Sequence, residues 1–464
     1  MKLILFGTGE IYEDRKKDIF RKDEIVAFLD NNFLLWNTLK DGINIYSPKE
    51  VKKLNYDKIV LMSSYAAEMC MQLLELGCRR EDILHYEEYF YLYQVGKNLA
   101  LDNGNIELQP VISENTCLII SNSLGYHGGA MAAVRAAVAL QKCNYKVTIC
   151  ASRGDNLFID EIKQKGISVL ICPSILLAKW EEIEWAHQYR FIIVNTLPMI
   201  ISALEIAKHR KVMFWLHESE VAYTSVEYWS EKIQQESHNP NLCICAVSDV
   251  AKTNFVKRYG QHTISILSCG IPDNFIIDKE QEKEASILKC AVIGSIYAIK
   301  GQDILLKALD ELSIEENENL QIYFVGNFVN AQYEKEIRNK CRKNVQIISE
   351  VEQSVLAKIY SQMDIIIVPS RQETMSFVAI EAMMHGKTCI VSDCAGIASY
   401  IDNEVNGLVF ETEQQTSLRN CIRWCLYNKE KLKLIGKEGR KTYEKYFSLD
   451  IFGKVLEQYC KKML

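Results

Sequence analysis

Short aliphatic runs alternate with amphipathic stretches along nearly the whole chain, and this alternation limits the available folds more than any other feature. KLILF, DKIVLMSS, TCLIIS, FIIVNT, LKCAVIGS, DIIIVPS and TCIVSD are apolar at successive positions, not at every second one. A strand with that pattern must be covered on both faces, the condition met in parallel sheets flanked by helices. Stretches such as AAEMCMQLLELG and GGAMAAVRAAVALQ, which follow the second and third runs, carry helical spacing. The pattern predicts an α/β protein built from repeated strand–helix units.

At 464 residues the chain can bury roughly two to four cores. Residues 1–95 read as a small Rossmann-like leader with strands KLILFGTG, EIVAFLD and DKIVLMSS. The polar segment VGKNLALDNGNIELQP breaks the pattern and marks 96–114 as a connector, so the leader is expected to be separable. Residues 115–275 form a second unit, with TCLIIS, SVLICPS, FIIVNT, KVMFWLHE and LCICAVS as strands. The charged run DKEQEKEAS separates it from a third unit over 285–445, and 446–464 reads as a terminal helix able to cross back to the second unit. Two doubly wound units in tandem predict a ligand cleft that both face.

Fifty-four basic and 60 acidic residues leave a net charge of −6, which gives no basic face for nucleic acid. Small molecules or proteins are the expected partners, with peripheral membrane contact allowed, and the oligomeric state is not legible. Sixteen cysteines without a cleavable leader predict a reducing cytoplasm. Cys243 and Cys245, or Cys421 and Cys425, have no matching second pair or nearby histidine, so no metal site is expected. FIIVNTLPMIISALEIA is interrupted by Asn195, Thr196, Pro198 and Glu205 and reads as a buried strand followed by a helix, not a membrane span.

Residues 370–386, SRQETMSFVAIEAMMHG, follow the strand DIIIVP. In an open parallel sheet, ligands bind beyond the carboxyl ends of strands, where loops enter helices with unpaired N–H groups. A carboxylate in that loop, Glu373, can reach hydroxyls beyond a phosphate. A second, Glu381, lies deeper on the helix and can accept two hydrogen bonds from a vicinal diol such as ribose. Phosphate, diol and sugar hydroxyls together describe a nucleotide sugar.

The same stretch resembles the signature of glycosyltransferase family 4, which has the GT-B fold and retains configuration at the transferred sugar. The resemblance covers about 115–464 and includes SLGYHGGAMAAV, FWLHES, AVSD, GIPDNF, VIGSIYAIKGQDILLKAL, IYFVGN and ISEVEQSVLAKIYSQMDIIIVPSRQETMSFVAIEAMMHGKTCIVSD, in the family's order. It implies a GT-B architecture of two doubly wound domains facing a cleft, plus the small α/β leader. It also implies that Glu381 holds the donor ribose, that Glu373 contacts donor-sugar hydroxyls, and that backbone amides of Met375, Ser376 and Phe377 bind sugar or phosphate. Lys300 would neutralise the leaving diphosphate, Gly128 and Gly129 would let backbone approach donor or acceptor, and His217 would face the reacting sugar. The implied donor is a nucleoside diphosphate sugar and the acceptor a glycan or lipid-linked glycan. No cofactor or metal is implied, and no Asp-x-Asp occurs in the chain.

Two features depart from the pattern. The family often carries arginine directly after the glycine corresponding to Gly294, where this chain has Ser295. Arg371 is the candidate substitute, and a silent protein that partners another transferase is the alternative. In the leader, GTG at 7–9 and Asp30 resemble a dinucleotide fingerprint without its third glycine, so a packing or regulatory role is expected ahead of nucleotide binding.

Overall fold

The computed structural model describes residues 1–19, 21–94, 115–275 and 287–463. They form two compact units, one of Met1–Cys245, Val256–Ile264 and Cys460–Leu464, the other of Ala246–Phe255 and Ser265–Tyr459.

The first unit holds two sheets. In the leader, β1 (Lys2–Phe6), β2 (Glu24–Leu29), β3 (Leu39–Lys40), β4 (Ile43–Tyr46), β5 (Lys58–Leu61) and β6 (Ile83–His85) lie in the order β3-β4-β2-β1-β5-β6. Only the β3–β4 edge is antiparallel. Successive apolar residues serve opposite faces. Ile4, Phe6, Ala27, Leu29, Ile59 and Leu61 pack in one core, while Leu3, Leu5, Phe28 and Val60 pack in the other. The short strands GINIY and ILH escaped the sequence reading because neither carries a run long enough to show a period.

The second sheet contains β7 (Thr116–Leu124), β8 (Lys146–Gly154), β9 (Ser168–Ile171), β10 (Phe191–Asn195), β11 (Val212–Leu216), β12 (Leu242–Ala246) and β13 (Ile264–Ile266). Their order is β13-β12-β11-β10-β7-β8-β9. FIIVNTLPMIISALEIA becomes β10, a 3₁₀ turn at Leu197–Met199 and the helix Ile200–Ala207, whose eight residues are all buried in protein. Among the described residues, no helix is long and apolar enough to cross a membrane.

Side chains of the leader contact the segment that follows β11. Tyr228 and Trp229, from the 3₁₀ segment Glu220–Trp229, meet the buried His85 with ring centroids 5.1 and 4.4 Å away. The Arg80 guanidinium lies 4.9 Å from the Tyr228 ring centroid, and the Tyr228 hydroxyl donates to Glu88 at 2.9 Å. Tyr91 donates to Glu182 at 2.6 Å. Tyr223, Val226 and Trp229 are buried at the three-residue spacing of this 3₁₀ segment, a period the sequence reading did not look for, and which side chains they would meet is not written in it. The expected connector falls within 95–114, outside the described residues.

The second unit is a parallel sheet of β14 (Leu288–Ile293), β15 (Leu320–Val325), β16 (Val345–Ile348), β17 (Ile365–Val368), β18 (Thr388–Ser392) and β19 (Leu408–Phe410), in the order β16-β15-β14-β17-β18-β19. Residues 267–275, beyond β13, pack with this unit. Ile271 N donates to Phe447 O at 2.9 Å, and the Tyr443 hydroxyl donates to Ile271 O at 3.0 Å. All sixteen cysteines are free thiols.

Candidate active site

In the second unit, the strand order changes direction between β14 and β17, and the loops leaving their carboxyl ends come together there. The junction is close enough to need glycine. Gly301 sits at φ +71°, and a Cβ there would stand 1.9 Å from Pro369 O. Arg371 N donates to Ile299 O at 2.7 Å. This clasp delivers Lys300 to Glu373, whose Oε2 lies 2.5 Å from Lys300 Nζ. Burial alone would lower the Lys300 pKa, but the Glu373 carboxylate outweighs it and raises the value, so the side chain stays cationic.

Glu373 is held from the other side by the loop after β18, where Gly396 N donates to Glu373 O and Ile397 N to Met375 O, both at 3.1 Å. A Cβ on Gly396 would meet Thr374 O at 1.9 Å. Ser376 then takes φ +83°, a left-handed conformation that costs a non-glycine residue about 1–3 kcal/mol. Its Oγ accepts from Ala379 N at 3.3 Å and caps the helix Phe377–Met384. Met375 and Ser376 are buried, and Phe377 is half-buried. Glu381 lies half-buried further along the helix and accepts the Tyr360 hydroxyl on Oε2 at 2.8 Å.

Lys300 and Glu373 are thus paired, and Met375, Ser376, Phe377 and Glu381 share the loop and helix that follow. Arg371 does not fill the place of the absent arginine. Its guanidinium forms a two-pronged pair with Asp303 at 2.7 and 2.8 Å and also bonds Glu413 and the Ala298 carbonyl. Burial would raise the Asp303 carboxyl, but Arg371 and Tyr333 hold it down to about 2. Ser295 itself is exposed.

Gly128, Gly129 and His217 belong to the first unit, at the corresponding change of direction between β7 and β10. Gly128 opens the helix Gly128–Lys142, capped by the His127 side chain, which accepts from Ala130 N at 3.4 Å. Asn195 Nδ2 donates to Gly129 O at 2.9 Å, and a Cβ on Gly129 would come 2.6 Å from Thr196 Cγ2. Thr196 is β-branched yet sits at φ +78°. Among the described residues, the buried Asn195 Oδ1 and Thr196 Oγ1 have no hydrogen-bond partner. His217 follows β11, the next strand, where burial lowers its imidazole to about 3. Its neighbour Glu218 accepts from His217 N at 2.8 Å, and burial raises that carboxyl to about 7.

Asn195, Thr196, His127, Glu218, Asp303 and Tyr360 were not singled out from sequence. The NT closing FIIVNT was the only available signal for the first two, and strain at Thr196 leaves no trace in a sequence. In the leader, the dinucleotide-like residues serve one another. Asp30 accepts from Thr8 N at 3.2 Å, Thr8 Oγ1 at 2.7 Å and Asn32 N at 2.9 Å. Gly7 is required because a Cβ would lie 2.8 Å from Met62 O. Among the described residues, no group of three or more His, Cys, Asp or Glu side chains is placed to hold a metal ion.

Residues 273–442 match the family model described as Glycosyl transferases group 1. The crystal structure of Anabaena Alr3699/HepE in complex with UDP and glucose superposes with a TM-score of 0.63 at 16% identity, over 75% of this chain and 99% of that one. The chain has a GT-B fold. Within this GT-B protein, residues 1–84 match a second family, described as C2185-like, N-terminal. An uncharacterised glycosyltransferase of Methanocaldococcus jannaschii is 29% identical over 28% of the chain and 32% of its own length. The D-inositol 3-phosphate glycosyltransferase of Segniliparus rotundus is 26% identical over 32% of the chain and 34% of its own length. The chain therefore spans about a third of the length of each of these curated relatives.

Proposed function

We propose that this chain is a retaining glycosyltransferase that moves a hexose-type sugar from a nucleoside diphosphate sugar to a glycan or lipid-linked acceptor. The setting is cell-surface polysaccharide synthesis in the cytoplasm, at the inner face of the membrane. The observation that carries this reading is the Lys300–Glu373 pair at the change of strand direction, inside the segment that matches the group 1 glycosyl transferases. A structural neighbour solved with UDP and glucose supports a nucleotide-sugar donor.

When the bond from the anomeric carbon to the diphosphate oxygen breaks, negative charge collects on the departing phosphate. Lys300 supplies the counter-charge, and the amides opening the helix Phe377–Met384 add the positive end of a helix dipole. Donor binding draws Lys300 toward phosphate and leaves Glu373 to accept hydroxyls of the sugar. Glu381 accepts the ribose diol. The acceptor oxygen bonds to the anomeric carbon on the face the phosphate leaves, and its proton passes to that phosphate, so the products are the glycoside and the nucleoside diphosphate. Gly128 and Gly129 let the backbone approach the donor phosphates or the acceptor, and His217 faces the reacting sugar, with no cofactor or metal taking part.

The test pairs two measurements on purified protein. Turnover should survive exhaustive EDTA treatment and collapse in Lys300→Ala. Loss of turnover on chelation together with an active Lys300→Ala would refute the mechanism. Engagement of Arg371 by Asp303 favours a second reading, a silent protein that partners another transferase, because Ser295 then has no cationic replacement. Donor hydrolysis above the uncatalysed rate would exclude the silent reading.

A further inference from the structure

Tyr360, on the helix Gln353–Gln362, is 1% exposed. A tyrosine buried this deeply needs a partner for its hydroxyl. Here that partner is Glu381, whose Oε2 lies 2.8 Å away, with the Val378 carbonyl at 3.5 Å. The phenol ring lies 5.1 Å from the imidazole of the buried His385 and within 11° of parallel to it. Burial lowers that imidazole to about 4, so the ring behind Tyr360 is neutral at ordinary pH and brings no charge toward Glu381. Stacking and hydrogen bond together fix the phenol, and through it one oxygen of a carboxylate whose terminal torsion is otherwise broad.

We propose that Tyr360 is the positioning residue for the ribose of the bound nucleotide, acting through Glu381. This rests on the nucleotide-sugar reading of the same site. A neutral O–H donor suits the task better than a cation would, because it orients the carboxylate without cancelling its charge. An ionised carboxylate accepts about four hydrogen bonds, so the one from Tyr360 is compatible with two more from a vicinal diol. The consequence is selectivity for the sugar of the nucleotide, separate from whatever recognises its base or phosphates.

The experiment measures binding of UDP, GDP and ADP, and of their 2′-deoxy forms, to the full chain by calorimetry. Tyr360→Phe keeps the ring and its stack on His385, and circular dichroism checks that the variant is folded. For whichever diphosphate the unaltered protein binds, Tyr360→Phe should weaken binding about fivefold, the scale of one ordinary hydrogen bond. The loss should shrink to nothing on the 2′-deoxy form, and it should vanish when Tyr360→Phe is added to Glu381→Gln. Equal losses on ribose and deoxyribose forms would make Tyr360 merely structural and overturn the proposal, as would undiminished binding. If Tyr360→Phe does not fold, the Glu381→Gln variant alone decides: equal affinity for the ribose and deoxyribose forms upholds the pair as the ribose reader, and retained discrimination overturns it. Failure of the unaltered protein to bind any of the three diphosphates would defeat the nucleotide-sugar reading itself, and Tyr360's assigned role with it.

Discussion

Arg371 grips Asp303 with both terminal nitrogens, Nη1 at 2.7 Å from Oδ1 and Nη2 at 2.8 Å from Oδ2. Through that pair, the loop after β17 is riveted to the helix Gln302–Asp310 that follows Lys300. Lysine presents a point charge where arginine presents a planar fork, so Arg371→Lys is not a conservative change here. It should cost about 2 kcal/mol of unfolding free energy, less than a fully buried pair because both side chains keep some exposure. Denaturant unfolding would check this, and a midpoint equal to that of the unaltered protein would show that the clamp contributes nothing.

With Arg371 committed to Asp303 and Glu413, neither residue 295 nor residue 371 offers a cation to the phosphate that the proposed function sets beside Gly294. Ser295→Arg should tighten nucleoside diphosphate binding about tenfold, because a guanidinium binds phosphate with charge-assisted hydrogen bonds. Calorimetric titration before and after the substitution gives the answer, and an unchanged affinity would mean that this loop does not meet the phosphates.

Gly301→Ala combines a left-handed φ of +71° with a Cβ 1.9 Å from Pro369 O. Neither defect can relax without parting the loops of β14 and β17, and the expected loss exceeds about 2 kcal/mol. Gly42→Ala is the control, since φ is +83° there but no atom lies within 4 Å of the added methyl. Equal melting temperatures for the two variants would contradict the role given to close approach.

Glu218 makes stability depend on pH. Its carboxyl titrates near 7 in the folded chain and near 4.3 when unfolded, so the unfolded state sheds its proton first as pH rises. The contribution is complete below about pH 4.3 and is lost as pH rises through about 7. His85, held down to about 3 by burial, acts in the opposite sense and costs stability as pH falls below about 6.5. Glu218→Gln should flatten the decline between pH 5 and pH 8 by about 1–3 kcal/mol. Parallel stability curves for variant and unaltered protein would argue against a raised Glu218 carboxyl.

Removal of residues 1–95 should yield an aggregating or molten chain, not an intact remainder. Tyr228 and Trp229 would lose His85, Arg80 and Glu88, leaving an apolar aromatic patch with a stranded hydroxyl. Gel filtration of the truncated protein would decide, and a monomer with an unchanged melting temperature would restore the separable leader.

What the sequence determined by itself is what local chemistry can encode. Continuous apolar runs require strands covered on both faces, which was enough for parallel α/β sheets, and the loop and helix after DIIIVP were enough for Glu373 and Glu381 at a carboxyl edge, whereas Lys300 was implied only by the family resemblance. The leader's attachment, the commitment of Arg371 to Asp303, the strain at Thr196 and the bond from Tyr360 to Glu381 were decided only by the tertiary structure. Each joins residues 21 to 148 positions apart, except Thr196, whose conformation is imposed by its neighbours in space. Arg80 and Tyr228, separated by 148 positions, and Tyr360 and Glu381, separated by 21, are brought together by packing, and no pattern along the chain records which side chain a buried hydroxyl or guanidinium will find.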